Sequence, residues 1–256
     1  MNKFTLYLNL QSTIFNFQLT AKLFAITLLL TSIFALPIYS HAQAVVFEEH
    51  VDTIPDQGSF GPNKKNFIHL FVGLGCIVGP AENAGSAIKY GLSSDLEIAY
   101  RYKRKISNFY SCGTEMGYHG SSFNLKQDAQ KTLPNAVINK NELFKFYNFA
   151  MGIYNRFNFG RRGNVIGNYV DIGGSGEFPF SLVHITRNDG ADGTIVRTLT
   201  SHLNYVNKFN YYAFIRLGSN RYALKAAYRL SDLFKKNTNY AELPKIAMTL
   251  QVGIHK

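Results

Sequence analysis

The segment 245–256 alternates large apolar residues with small or polar ones. Apolar side chains occupy every even position from Ile246 to Ile254. A period of two is the signature of a β-strand whose two faces meet different surroundings. About nine to eleven tilted residues are enough for a strand to cross a bilayer. The segment therefore predicts a strand of membrane-spanning length with one apolar face.

Seven further segments show the same alternation. In one of them, Tyr222, Leu224 and Tyr228 share a face, while small and basic residues occupy the other. The predicted strands cover residues 66–77, 88–102, 107–123, 143–159, 164–178, 204–217, 221–230 and 245–256. Eight such strands suit a single all-β domain.

The connections between the predicted strands alternate in length. Tight turns fall at 103–105, 160–163 and 218–220, and longer polar loops separate the other strand pairs. Residues around 194–200, within the longest loop, are also compatible with an extension of the flanking strands. Short periplasmic turns and longer outer loops are typical of bacterial outer-membrane barrels. The pattern predicts an all-β fold, an eight-stranded antiparallel transmembrane β-barrel.

The N-terminal residues predict export. Residues 1–44 contain two lysines and no acidic residue, and the uncharged run 23–38 precedes Ala42-Gln43-Ala44. A basic start, an apolar core and an A-x-A site are typical of a signal peptide cleaved after Ala42 or Ala44. The alternative is a membrane anchor, but the run is shorter than the roughly 20 residues that a spanning helix needs.

Three regions follow from this interpretation. Residues 1–44 are expected to be the signal peptide, 45–65 a flexible N-terminal periplasmic segment, and 66–256 the barrel domain. The expected location is the cell outer membrane. The two faces of the strands leave a soluble, lipocalin-like barrel as an alternative, in which the apolar face would point inward.

The composition of the polar face favours the membrane barrel. The lumen of an eight-stranded barrel is narrow and is filled by side chains, and glycine and alanine are frequent between the charged residues of this face. Buried charges persist only when they are paired and hydrogen-bonded. The residues expected to form a lumenal charge network are Asp95, Glu97, Arg101, Glu115, Arg156, Asp171, Glu177, Arg216, Arg221, Lys225, Arg229 and Lys245. The network is interpreted as a plug, and the alternative is a narrow ion path.

The charge and the motifs restrict the function further. The formal net charge is +11, but an exported chain rarely meets nucleic acid, so outer-membrane lipid is the expected anionic partner. No metal, nucleotide or hydrolase motif is present, and no cofactor is predicted. Glu115, His119 and Ser121 resemble the parts of a lipid hydrolase. Since residues two apart on one strand are poorly placed for a triad, the chain is predicted not to be an enzyme.

Three segments carry a family resemblance, namely Asn66–Gly75, Tyr154–Gly163 and Leu250–Lys256. They resemble the small outer-membrane β-barrel proteins of Bacteroidetes, similar in build to OmpX-like and PorT-like barrels. The resemblance covers residues 66–256 and departs from the better-known proteobacterial pattern at Lys256, where that pattern has Phe. It implies the fold and the location.

The function predicted from these features is non-enzymatic. It is a binding or structural role through the outer loops, chiefly 124–142 and 180–203. Alternatives are a membrane component of a protein export system, which a PorT-like resemblance would imply, and a lipid-modifying enzyme. The expected partners are outer-membrane lipid and a protein at the outer loops or the periplasmic face, and the chain is expected to be a monomer.

Overall fold

The computed structural model describes residues 58–160, 163–190, 192–201 and 203–255. They form nine strands and two single-turn 3₁₀ helices at 84–86 and 236–238. The strands are β1 (Asn66–Ile77), β2 (Ser94–Lys105), β3 (Tyr110–Asn124), β4 (Asn141–Phe159), β5 (Asn168–Asp189), β6 (Ile195–Ser201), β7 (Asn210–Ser219), β8 (Tyr222–Arg229) and β9 (Ile246–Ile254). Among the described residues, no helix is long and apolar enough to cross a membrane.

Eight of these strands close into an antiparallel barrel. Each pairs with its neighbour in order, β5 pairs with β7, and β9 returns to pair with β1. Val72 of β1 lies opposite Ile98 on one side and Val252 on the other, so the apolar faces of three strands form one continuous stripe. The β6 strand pairs only with the end of β5 and stands outside the barrel. The predicted eight-stranded fold is confirmed.

The connections lie at two ends of the barrel, as the alternating lengths predict. The turn end carries 106–109, 160–167 and the two-residue connection after Ser219. Asn220 adopts a left-handed conformation there, with φ of 51°, which asparagine tolerates better than most residues. The loop end carries four longer connections between barrel strands, at 78–93, 125–140, 190–209 and 230–245, and the third of them contains β6.

Most strand boundaries differ from the sequence prediction by a few residues, and two of the differences change the structure of the loop end. β2 begins at Ser94 instead of residue 88, because Ile88 bridges to Leu125 and is buried among the loops. β5 continues to Asp189 and turns back into β6, so much of the region predicted as the loop 180–203 is a β-hairpin. Residues 195–201, where the sequence is also compatible with extended strands, form β6 of this hairpin.

The four long connections pack together over the loop end. Each contributes apolar side chains to a single buried cluster, which we call the loop cap. Its members are Ile77, Ile88, Phe123, Leu125, Leu133, Phe144, Phe146, Leu203, Val206, Leu233, Phe234 and Leu243. The mouth of the barrel is therefore covered by a hydrophobic core to which all four connections contribute.

The turn end is covered by the residues that precede β1. The ammonium group of Lys103 donates to the carbonyl of Pro62, and that of Lys105 donates to the carbonyl of Asn63 at 3.1 Å. These contacts hold residues of the predicted lead-in segment against the turn end. The predicted signal peptide and both cleavage positions lie outside the described residues.

Candidate functional site

The two faces of the barrel wall differ sharply in polarity. Four arginines, at 101, 156, 216 and 229, are among the largest fully buried side chains. Large apolar side chains on the outward face are 37–69% exposed, and they include Ile68, Leu74, Ile98, Met116, Met151, Ile153, Ile172, Ile215, Leu217, Met248, Leu250 and Ile254. The described outward positions of β7, β8 and β9 carry no Asp, Glu, Lys or Arg. Charges lie inside the wall and apolar groups outside it.

One chain of ion pairs crosses the lumen at the level of Asp171. The Asp171 carboxylate accepts two hydrogen bonds from Arg156, at 2.7 and 2.9 Å, and one from Arg216 at 2.8 Å. Arg216 also donates to Glu115 at 2.8 Å, and Glu115 accepts from Arg101 at 3.1 Å. Such planar guanidinium–carboxylate contacts are among the stronger hydrogen bonds in proteins.

The same chain continues toward the loop end through Gln251. Arg101 donates to the Gln251 side-chain oxygen at 2.8 Å, and the Gln251 amide donates to Glu97. Glu97 pairs with Lys225 at 2.5 Å. Because each carboxylate has a cation beside it, the network meets the condition under which charges persist in a low-dielectric interior.

His119 forms the last part of the network and lies between two carboxylates. Its Nε2 is 2.5 Å from Asp95 Oδ1, and its Nδ1 is 2.6 Å from Glu177 Oε1. A neutral imidazole has one N–H and cannot face two carboxylates favourably, whereas an imidazolium can. The buried charged residues of the lumen thus form two neighbouring groups, the chain from Arg156 to Lys225 and the group around His119. With His119 counted as an imidazolium, their formal charges sum to zero.

Ten of the twelve residues expected in the lumenal network are buried, namely Asp95, Glu97, Arg101, Glu115, Arg156, Asp171, Glu177, Arg216, Lys225 and Arg229. Arg229 lies at the loop end, where it pairs with Glu242 at 2.8 Å. The prediction is wrong for Arg221 and Lys245. Arg221 is exposed in the turn before β8, and Lys245 precedes β9 and pairs with Asp232 at 2.8 Å.

Several polar residues of the lumen were missed from the sequence. Thr249 donates to Asp95 at 2.7 Å, and Asn148 donates to Glu177 at 2.9 Å. Thr249 and Gln251 occupy inward positions of β9, so the alternation of that strand contained the signal. The role of Glu242 had no such signal, since it lies in the connection 230–245, outside any alternating segment.

Side chains fill the lumen almost completely. The two cavities found there have volumes of about 30 and 20 Å³, which is enough for isolated water molecules. Small residues make this filling possible: a Cβ on Gly113 would lie 2.5 Å from the Tyr154 hydroxyl, and one on Gly173 would lie 2.7 Å from Phe214 Cζ. Arg156 also stacks on Tyr169, with its Cζ 3.6 Å from the ring centroid.

Asp95, Glu97 and His119 are the one group of possible metal ligands that the described residues bring together. Their ligand atoms lie within 4.8 Å of one another. However, the His119 nitrogens face Asp95 and Glu177, and the ammonium of Lys225 already pairs with Glu97. The donors are therefore committed to the ion-pair network, and we derive no metal site from them.

The possible hydrolase group does not assemble. A serine hydrolase needs one histidine nitrogen free to accept the proton of the serine. Both nitrogens of His119 instead face carboxylates, and Glu115 is bound by Arg101 and Arg216. Ser121 thus has no general base in this arrangement.

A second polar cluster surrounds Glu142 at the loop end of β4 and anchors the loop cap. It lies beyond the part of the wall that carries the outward apolar face. Its carboxylate lies 2.6 Å from Lys131 Nζ and 2.8 Å from His184 Nε2, and it accepts from Asn139 at 2.8 Å. Burial by itself raises the pKa of Glu142, but the hydrogen bonds from these three residues outweigh it and hold the pKa below its usual range. This cluster ties the connection 125–140 to β4 and β5.

The β5–β6 hairpin is the most exposed part of the loop end. Every residue of β6 is exposed, including Ile195, Val196 and Leu199. One edge of β6 pairs with β5, and no described strand pairs with the other. Arg187 and Arg197 lie directly opposite each other in the register, both exposed. Like charges placed directly opposite across a strand pair are destabilising.

Comparison with known proteins gives no family for the chain. No model of a protein family matches the sequence, and no curated protein matches it. Two solved structures of Ail, the attachment invasion locus protein of Yersinia pestis, are similar. The one in complex with the heparin analogue sucrose octasulfate has 11% identity and a TM-score of 0.31, covering 73% of this chain and 94% of that chain. The other has 10% identity and a TM-score of 0.32, covering 74% and 95%. Likeness of this degree says nothing about what this chain binds.

Proposed function

We propose that the protein is a non-enzymatic, integral outer-membrane β-barrel that binds an external partner through its β5–β6 hairpin. The outward apolar face carries the membrane part of the proposal. A soluble barrel would bury this face and would expose the arginines that lie in the lumen here. In lipid, the closed ladder also leaves no unpaired strand edge within the barrel wall.

The lumen acts as a plug in this proposal. Two cavities in the lumen, of about 30 and 20 Å³, have room for isolated water molecules only, and the loop cap covers one mouth. Since His119 has no ring nitrogen available for a nucleophile, the lumen is assigned a bracing role. Function then belongs to the surface of the loop end.

The free edge of β6 is the feature that supports binding. An exposed strand edge presents unpaired N–H and C=O groups that accept an additional strand. Ile195, Val196 and Leu199 provide apolar contacts beside that edge. Arg187 and Arg197 repel each other until an anionic group lies between them, and neither makes a salt bridge with a described carboxylate. We therefore assign the edge to an extended, acidic segment of a protein outside the cell.

Membrane insertion is tested by fractionation and by electrophoresis without heating. Folded outer-membrane barrels resist detergent unfolding, so we expect the protein in the membrane fraction with a heat-dependent change of mobility. A protein in the soluble periplasm, with the same mobility heated and unheated, would contradict the proposal. Co-purification of a stoichiometric periplasmic partner would instead favour the export component suggested by the PorT-like resemblance, which stays a prediction from the sequence.

Binding at the hairpin is tested with a synthetic peptide of alternating glutamate and valine. The double variant R187E/R197E should bind it about tenfold more weakly, since two exposed ion pairs contribute roughly 1–2 kcal/mol together. It should also gain affinity for an alternating lysine–valine peptide. The matched control, K126E/K208E, reverses two exposed charges outside the hairpin. Equal affinity of all three proteins for the acidic peptide would refute the assignment.

A further inference from the structure

A groove of about 730 Å³ lies on the outside of the barrel beside the loop cap. Its floor includes Tyr228 and Ile246, which pair with each other at the loop ends of β8 and β9. Both side chains belong to the outward rows of these strands. The groove therefore opens where the apolar face of the barrel ends, which is the outer surface of the membrane in the function proposed above. Its volume falls within the range of small-molecule sites.

The walls of the groove are held in place by hydrogen bonds between two connections. The backbone N–H of Glu242 donates to the Glu82 carboxylate at 2.6 Å, and the Glu82 N–H donates to the Glu242 carbonyl at 3.2 Å. Ser86 donates to the same carbonyl at 2.8 Å. The Glu242 carboxylate accepts from Arg229 and from the N–H groups of Leu233 and Phe234. The groove thus exists before any ligand binds.

Three of the six charged residues that line the groove are in ion pairs, and the Glu82 carboxylate accepts the Glu242 N–H. Glu242 pairs with Arg229, and Asp232 pairs with Lys245 at 2.8 Å. The hydrogen bond from Lys245 is the main cause that holds the pKa of Asp232 below its usual range. Lys235 and Lys236 make no salt bridge with any described carboxylate, so they are the cations that remain to bind a ligand.

The uncharged lining suits a ligand rich in hydroxyl groups. Asn83 and Asn239 offer amide groups, and Tyr240 offers a partly exposed ring. Tyr240 is fixed by edge contacts with Tyr205 and Phe234, at centroid distances of 5.3 and 5.7 Å. Aromatic faces, amides and lysines together match a sugar that carries a phosphate group.

We propose that this groove binds the phosphorylated sugar head of a glycolipid in the outer leaflet. The position of the groove selects the lipid-anchored form of this ligand, because acyl chains attached to the sugar would extend along Tyr228 and Ile246. The proposal rests on the membrane location proposed above. It adds a ligand site that is separate from the β5–β6 hairpin.

The test uses the full folded protein in nanodiscs of phosphatidylethanolamine with a minor fraction of bisphosphorylated lipid A. Native mass spectrometry measures how much lipid A stays bound after release from the nanodisc. The K235A/K236A variant should retain it roughly ten- to thirtyfold less, since a lysine near an anionic membrane surface contributes about 1 kcal/mol. K235R/K236R should retain it as the wild type does. K126A/K140A, which removes two exposed lysines outside the groove, should also match the wild type.

The measurements distinguish a failure of the proposed lipid A site from a failure of the proposed membrane location. Heat-dependent mobility of every variant shows that the barrel is folded, independently of lipid A. Equal retention by wild type and K235A/K236A would overturn the proposal, as would an equal loss in K126A/K140A. Full retention of dephosphorylated lipid A would overturn the phosphate contact. Binding of free glucosamine 1-phosphate as tight as that of lipid A would overturn the lipid source.

Discussion

Replacing Asp171 with asparagine tests the stabilising role of the lumenal network. Asp171 is completely buried and accepts three hydrogen bonds from two guanidinium groups. Hydrogen bonds to charged groups contribute about 1.5–3 kcal/mol each. Asparagine preserves the shape and one acceptor oxygen, but Arg156 then has no carboxylate within reach. Since a buried pair that loses one partner costs about 3–5 kcal/mol, we expect the free energy of unfolding to fall by about 4 kcal/mol.

The measurement is urea unfolding in phospholipid vesicles, followed by circular dichroism because the chain contains no tryptophan. Asp189→Asn is the matched control, because the same substitution on the same strand breaks an exposed pair with Lys140, a type of pair worth about 0–1 kcal/mol. Adding Arg156→Met to Asp171→Asn should restore part of the loss by removing the unpaired cation. If Asp171→Asn costs no more than Asp189→Asn, the network does not stabilise the barrel as described.

Three further predictions concern the wall, the cap and the lumen. Ile153→Arg places a charge in the middle of the outward face and should cost about 2–4 kcal/mol in vesicles, whereas Ile195→Arg on the exposed β6 should cost almost nothing by the same unfolding assay. Because the pKa of folded Glu142 is lowered, its stabilisation of the cap is present above about pH 4.5 and is lost as the pH falls through the lower folded value. Pepsin cleavage within 125–140 should therefore accelerate below about pH 4.5, and Glu142→Gln should remove this dependence. Planar-bilayer recording should show no reproducible conducting steps, and stable steps from folded protein would contradict a plugged lumen.

Alternation in the sequence predicted the barrel because each strand meets lipid-like and lumenal surroundings on opposite faces. β9 shows this most clearly, since Met248, Leu250 and Val252 all point outward. The same alternation predicted that Lys245 points into the lumen, because it lies four positions before the inward-facing Thr249. This prediction was wrong. β9 begins only at Ile246, so the alternation of the strand does not determine where the Lys245 side chain points. Arg221 failed for the same reason, in a turn.

The loop cap could not be predicted from periodicity. The sequence assigns Ile88 to a strand and Leu125 to a polar loop, yet both belong to a core to which four separate connections contribute. The ion pairs across the lumen could not be predicted from periodicity either. Arg216 contacts Glu115 and Lys225 contacts Glu97 across the lumen, and these partners are fixed by strand order and register. Polarity of the face was visible in the sequence, whereas the choice of partner was not.

The orientation of β9 in the bilayer tests the central claim most directly. In a background with Cys76 and Cys112 replaced by alanine, single cysteines from position 247 to 254 are labelled with a nitroxide, and collision rates with oxygen and with a water-soluble nickel chelate are measured in vesicles. We expect oxygen access with little nickel access at positions 248, 250, 252 and 254, and low access to both at 249, 251 and 253. Strong nickel access at the even positions would contradict a barrel that places its apolar face in lipid.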